Sequence, residues 1–224
     1  MIIAQFIAAI LIGYLLGSIP FGLLIGRRHA KVDVRQYGSG RTGATNVLRT
    51  AGRKAAALVA CLDVLKGALA VIFAGLLVGE GYLVVGGFGL GALVAQVLAA
   101  LAAVAGHVWP VFFKFRGGRG VAPFAGGLLV LYPIAALFSG GVILLTVGLT
   151  RYASLGSIVG VVGTYAILAY LTIWNGLSLE YLLYALVGAV LIIVMHRDNI
   201  IRLVSGTERR LGEKAEMRDL SSSF

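Results

Sequence analysis

A chain of 224 residues with mean hydropathy +0.97, 59% hydrophobic and only 12% charged residues carries more apolar surface than a soluble domain of this size can bury. Its solvent is therefore a bilayer. The net charge of +10 would point a soluble protein at nucleic acid; here it fits positive-inside bias and an anionic partner, lipid or phosphate, with no nucleic acid. A single cysteine, Cys61, excludes an internal disulfide.

The first apolar run, 2–26, has no Lys or Arg ahead of it and no clear small-residue cleavage site, so it reads as an uncleaved span. Within it "GSIPFG" (17–22) predicts a kink at Pro20, with Ser18 placed to take up a freed backbone group. The polar stretch 27–54 follows, then apolar runs at 55–79 and 81–106. In the first of these, "CLDVLKG" sets Asp63 and Lys66 three residues apart, a pair that neutralises itself for structure or buttresses the preceding loop. In the second, "GGFGLG" (86–91) has no strand before it and reads as helix packing. Gly87/Gly91 and Gly156/Gly160 are small-xxx-small pairs that let helices approach. A polar segment at 107–120 precedes apolar runs at 121–150, 152–174 and 178–195. The tail from Ser205 to Phe224 mixes charges and serines and reads as partly disordered.

Charge fixes the sidedness. Of 19 Lys and Arg, eight lie in 27–54, three in 107–120 and six after residue 196, while the connections near Glu80 and Glu180 hold none. The positive-inside rule puts those three segments in the cytoplasm. Parity then demands an even number of crossings between 107–120 and the tail. At 1.5 Å per residue the run 121–150 is ~45 Å long, against ~30 Å of hydrocarbon. Pro133 and the "SGG" at 139–141 are its natural break, so two helices meeting at an external turn around 133–141 are expected. The predicted fold is one all-α integral membrane domain, 1–224, with seven transmembrane helices, N-terminus outside and C-terminus cytoplasmic.

Three polar islands share the cytoplasmic side. In the first, "YGSGRTGATNVLRTAGRK" (37–54), Gly38, Gly40 and Gly43 allow successive N–H groups to converge on an anion. Ser39, Thr45 and Asn46 add neutral donors, and Arg49 can grip a phosphate with a bidentate fork. The plainer reading, a solvated loop touching headgroups, accounts for the cations but not for the glycines and hydroxyls. The second, "GHVWPVFFKFRGGRG" (106–120), offers Gly117 and Gly118 between Arg116 and Arg119; an interfacial re-entrant segment anchored by aromatics is its alternative. In the third, "HRDNIIRLVSG" (196–206), His196 and Asn199 share a helical face. The histidines at 29, 107 and 196 lack companion thiols or enough carboxylates for a metal site.

Together these motifs resemble the bacterial acyl-phosphate-dependent glycerol-3-phosphate acyltransferases over essentially the whole chain. The resemblance rests on "GSIPFG", "GSGRTGATNVLR", "GHVWP" with "FRGGRG", and "HRDNI", in that order on this hydropathy profile. It implies seven spans with the N-terminus outside, in a bacterial cytoplasmic membrane. It implies transfer of an acyl group from acyl phosphate to the sn-1 hydroxyl of glycerol 3-phosphate, giving lysophosphatidic acid and phosphate, without a cofactor. Carried over, the resemblance marks Ser39, Arg49, Arg119 and His196 as catalytic. It marks Gly38, Gly40, Gly43, Thr45, Asn46, His107, Arg116, Gly117, Gly118 and Asn199 as substrate-binding. The chain departs from the family at its basic pair, Arg rather than Lys, and at Arg41-Thr42. The rival class, a transporter or flippase for a phosphorylated solute or lipid, calls for mid-membrane polar residues and internal two-fold similarity. The sequence shows neither beyond Asp63, Lys66 and a few isolated groups.

Overall fold

A computed structural model describes residues 1–217 of the chain. Among them the helices are α1 (Ile2–Gly17), α2 (Phe21–Ala30), α3 (Ala44–Val78), α4 (Ala92–Val108), α5 (Val121–Leu131), α6 (Pro133–Thr150), α7 (Ala153–Asn175), α8 (Leu179–Met195) and α9 (Arg197–Val204). One small hairpin, β1 (Leu83–Val85) and β2 (Phe88–Leu90), links α3 to α4. Five stretches are long and apolar enough to cross a bilayer: Ile2–Ala30, Ala44–Val78, Ala92–Phe113, Pro133–Thr150 and Ala153–Asn175. The apolar α8, from which α9 bends away by 62°, is a sixth candidate. With 11 residues, or ~16 Å, α5 is shorter than the hydrocarbon core. Large apolar side chains such as Leu76, Leu144 and Leu149 point outward, as lipid-facing helices require.

Small residues bring the helices together, since lipid offers no hydrophobic drive for their association. Gly13 and Gly17 of α1 lie against the backbone of Ala99 and Ala103 in α4, and Gly126 of α5 against Val64 of α3. Gly156 and Gly160 of α7 pack on Val147 and Ile143 of α6, as their spacing predicts. The principal core, including Phe124, Leu128, Tyr184 and Ile192, joins α4, α5, α7 and α8.

Four features differ from the sequence expectations. Residues 83–90 form a hairpin instead of the start of a span. Gly86 (φ 58°) and Gly87 (φ 84°) make its two-residue turn, where two positive φ angles suit glycine. Gly87/Gly91 is therefore no helix-packing pair. The break after α5 is the single residue Tyr132 ahead of Pro133, while the "SGG" at 139–141 stays inside α6. At the α1–α2 break, the Ile19 carbonyl accepts from Lys66 Nζ at 3.0 Å. Ser18 Oγ has no partner among the described residues. Finally, 205–217 is a strap, not a loose tail: Leu211 N donates to Arg151 O (2.7 Å), Ala215 N to Arg49 O (3.3 Å) and Gly38 N to Glu216 O (3.0 Å). The rest of that tail, 218–224, lies outside the described residues.

Candidate active site

The three polar islands converge on one cavity of about 230 Å³. Its wall comes from the loop at Ser39 and Arg41, the first turns of α3 from Gly43 to Arg49, and Arg119 with the start of α5. The base of α7, His196, Asn199 and Glu208 complete it. Gly52 (φ 85°) breaks α3, so Thr45, Asn46 and Arg49 sit on a short segment set off from the long helix. This segment begins at Gly43, whose carbonyl accepts from Asn46 N (3.0 Å) and Val47 N (3.2 Å). The amides of Ala44 and Thr45 have no intrahelical acceptor, and the helix dipole adds partial positive charge at this end.

The amides expected to form an anion nest are already paired. Gly38 N donates to Glu216 O, Gly40 N to Tyr37 O (2.9 Å) and Ser39 N to Asn46 Oδ1 (3.1 Å), so the amides of 38–40 are already in use. Gly38 (φ 53°) and Gly40 (φ 68°) supply the positive-φ positions of the turn. Asn46 likewise holds the loop: its Nδ2 donates to Val34 O (2.7 Å), Arg41 O (2.9 Å) and Tyr37 O (3.2 Å). Ser39, Gly43 and Thr45 do border the cavity.

Arg49 Nη2 donates to the carbonyls of Arg209 (3.1 Å) and Arg210 (3.3 Å) on the strap. Its Nε, like that of Arg119, is buried without a partner among the described residues. Burial, then neighbouring Arg41, lowers the Arg119 pKa to about 10, which leaves it cationic at neutral pH. Arg116 is exposed and lies off the cavity. Gly117 and Gly118 are also outside it: their amides donate to Val108 O (3.1 Å) and His107 O (3.0 Å). A Cβ at either would collide with His107. Those glycines permit a close chain crossing. His107 borders the cavity, with Nδ1 3.4 Å from Asp63 Oδ1.

His196 and Asn199 are both buried and both on the cavity, as their spacing predicts. His196 Nδ1 lies 2.8 Å from the Ile192 carbonyl, which can only accept, so Nδ1 carries the proton. Burial, then the Arg119 charge, pulls the His196 pKa down to about 4, so the ring is neutral and Nε2 is an acceptor. Asn199 Nδ2 donates to Glu208 Oε1 (2.6 Å), which fixes the amide and leaves Oδ1 buried with no partner among the described residues. Glu208 also accepts from Ser154 Oγ (2.8 Å) and Arg202 Nε (2.8 Å). Sequence reasoning missed Glu208, Ser154 and Ser157. The signal for Glu208 was a lone acid closely following the third motif; nothing distinguished the two serines.

The chemistry of the cavity is thus a cluster of cationic and N–H donors facing two neutral acceptors, His196 Nε2 and Asn199 Oδ1, with the carboxylates of Glu208 and Asp63 already held by side-chain neighbours. Residues 7–206 match the family model described as glycerol-3-phosphate acyltransferase. A Dehalococcoides mccartyi protein named glycerol-3-phosphate acyltransferase 3 is 60% identical, over 96% of this chain and 100% of its own length. A Halalkalibacterium halodurans glycerol-3-phosphate acyltransferase is 42% identical over 91% and 94%. The crystal structure of PlsY (YgiH), an integral membrane glycerol 3-phosphate acyltransferase, in its glycerol 3-phosphate form superposes with a TM-score of 0.80. It has 38% identity, covering 92% of this chain and 96% of that one. Its lysophosphatidic acid form gives a TM-score of 0.77, at 37% identity over 92% and 94%. With the family model matched over residues 7–206, and identity, length and fold shared with these relatives, this chain belongs to the glycerol-3-phosphate acyltransferase family.

Proposed function

We propose that the protein moves a fatty acyl group from an acyl phosphate to the sn-1 hydroxyl of glycerol 3-phosphate, in a bacterial cytoplasmic membrane and with no cofactor. The products are lysophosphatidic acid and inorganic phosphate. The observation that carries this reading is the pair of buried, unpartnered guanidinium Nε donors of Arg49 and Arg119 on a single cavity. Buried donors without acceptors mark a place where an anion belongs. Two of them suit two phosphate-bearing substrates.

Arg49, the Ala44 and Thr45 amides and the hydroxyls of Ser39 and Thr45 take the phosphate of glycerol 3-phosphate. Arg119 takes the acyl phosphate and the charge developing on its carbonyl oxygen, a role the Gly117 and Gly118 amides have no spare N–H to fill. His196 Nε2 and Asn199 Oδ1, both acceptors, receive glycerol hydroxyls. Val121, Ala122 and Ala125 give the cavity an apolar wall for the first carbons of the acyl chain. The sn-1 oxygen attacks the carbonyl carbon, the bond from that carbon to the phosphate oxygen breaks, and the hydroxyl proton passes to the departing phosphate. Substrate-assisted proton transfer fits a histidine whose pKa of about 4 makes it a weak base.

Purified protein in lipid, given glycerol 3-phosphate with either palmitoyl phosphate or palmitoyl-CoA, tests the donor. Turnover with palmitoyl phosphate alone is expected; equal use of the thioester refutes the assignment.

A further inference from the structure

Three ionisable side chains that the reaction above leaves unused lie together at the cavity, two of them, Asp63 and His107, in its lining. Asp63 and Lys66 of α3 and His107 of α4 have relative exposures of 1%, 2% and 6%. Asp63 Oδ1 is 2.7 Å from Lys66 Nζ and 3.4 Å from His107 Nδ1. Lys66 Nζ also donates to Ile19 O at the α1–α2 break and stands 5.7 Å from the Phe21 ring centroid.

His107 is the bed on which the second motif lies. Its carbonyl accepts from Gly118 N at 3.0 Å. Its Nε2 is so close to Gly118 that a Cβ there would collide with it. That nitrogen lies against the Gly118 backbone. The next residue along is Arg119, whose buried Nε is held toward the cavity without a partner.

We infer that Asp63 is a positioning residue for Arg119, acting through His107. The carboxylate stands against one edge of the imidazole at 3.4 Å, the opposite edge packs on Gly118 while the carbonyl accepts from its N–H, and Gly118 sets where the guanidinium enters. Lys66 neutralises the carboxylate and ties it to the α1–α2 break, because a buried charge left alone is strongly destabilising. The inference rests on the proposed reaction, in which Arg119 binds the acyl phosphate and Arg49 the glycerol 3-phosphate.

The test compares four full-length variants in lipid: His107→Gln, the double variant Asp63→Asn/Lys66→Gln, and Arg119→Lys and Arg49→Lys as references. KM is measured separately for palmitoyl phosphate and glycerol 3-phosphate. His107→Gln keeps the Asp63–Lys66 pair, and the double variant leaves no lone charge, so failure of one to fold leaves the other to decide. The expected result is a rise of about five- to thirtyfold in the KM for palmitoyl phosphate, with the KM for glycerol 3-phosphate within about twofold of wild type. That split should match Arg119→Lys and oppose Arg49→Lys. Constants that stay put, rise together or follow Arg49→Lys overturn the relay. No turnover by the wild-type protein instead overturns the reaction on which it rests, and the relay with it.

Discussion

At the residue scale, His196 shows how one backbone contact decides a role. Because Nδ1 donates to Ile192 O, only the lone pair on Nε2 faces outward, and the ring serves hydroxyl groups better than phosphate oxygens. Its pKa of about 4, below the ordinary 6.5, has a thermodynamic consequence. Between those two values the unfolded chain binds a proton that the folded chain refuses, so stability rises with pH from about 4 to about 6.5. The contribution is fully present above that window and is lost on acidification, amounting to on the order of 3 kcal/mol. Thermal unfolding of wild type and His196→Gln should therefore converge as pH falls from 7 toward 4. Over the same range log(kcat/KM) should show no acidic limb near pH 6.5 that depends on this histidine. A limb there that vanishes in His196→Gln would show that the ring titrates near its ordinary value and is available as the base.

At the scale of elements, the loop at 37–43 is held by Asn46 as by a peg. Three donated hydrogen bonds and one accepted bond join the first turn of α3 to Val34, Tyr37, Ser39 and Arg41. Asn46→Asp would place a carboxylate among three carbonyl oxygens. We expect a loss of roughly 2–4 kcal/mol, seen as a lower Tm, and a rise in KM for both substrates. Unchanged Tm with a selective KM effect would show direct substrate contact instead. The sequence marked Asn46 as a polar donor of the first motif, but not that its hydrogen bonds close inward on the loop. His196 and Asn199 were legible because three-residue spacing on a helix fixes a shared face. The amides of 38–40 were not, since their acceptors, Glu216 O among them, come from distant chain. Similarly, apolar composition hid the 83–90 hairpin inside an expected span. There, Gly86-Gly87 between apolar residues was the available signal.

At the scale of the whole molecule, every proposed substrate contact lies on one face of the helix layer, at the end of α4 away from the hairpin. The division of 121–150 into two helices was legible from its length and Pro133; whether the chain broke at Pro133 or at the "SGG" of 139–141 was not, because glycine and serine are tolerated inside a membrane helix. We propose seven spans with α5 counted as a short one, N-terminus outside and the strap cytoplasmic. With Cys61 replaced by alanine and a cysteine placed at Met217, a membrane-impermeant thiol reagent applied outside intact cells should label nothing until the membrane is opened. Labelling in intact cells would invert the orientation.

The central claim is that the cavity couples two phosphate-bearing substrates into one transfer. Phosphorus NMR of the purified protein in lipid, given palmitoyl phosphate and glycerol 3-phosphate, observes all four species at once. The expected spectrum shows both substrates declining together while inorganic phosphate and lysophosphatidic acid grow in equal amounts. Palmitoyl phosphate consumed without lysophosphatidic acid, or no consumption at all, would contradict the account.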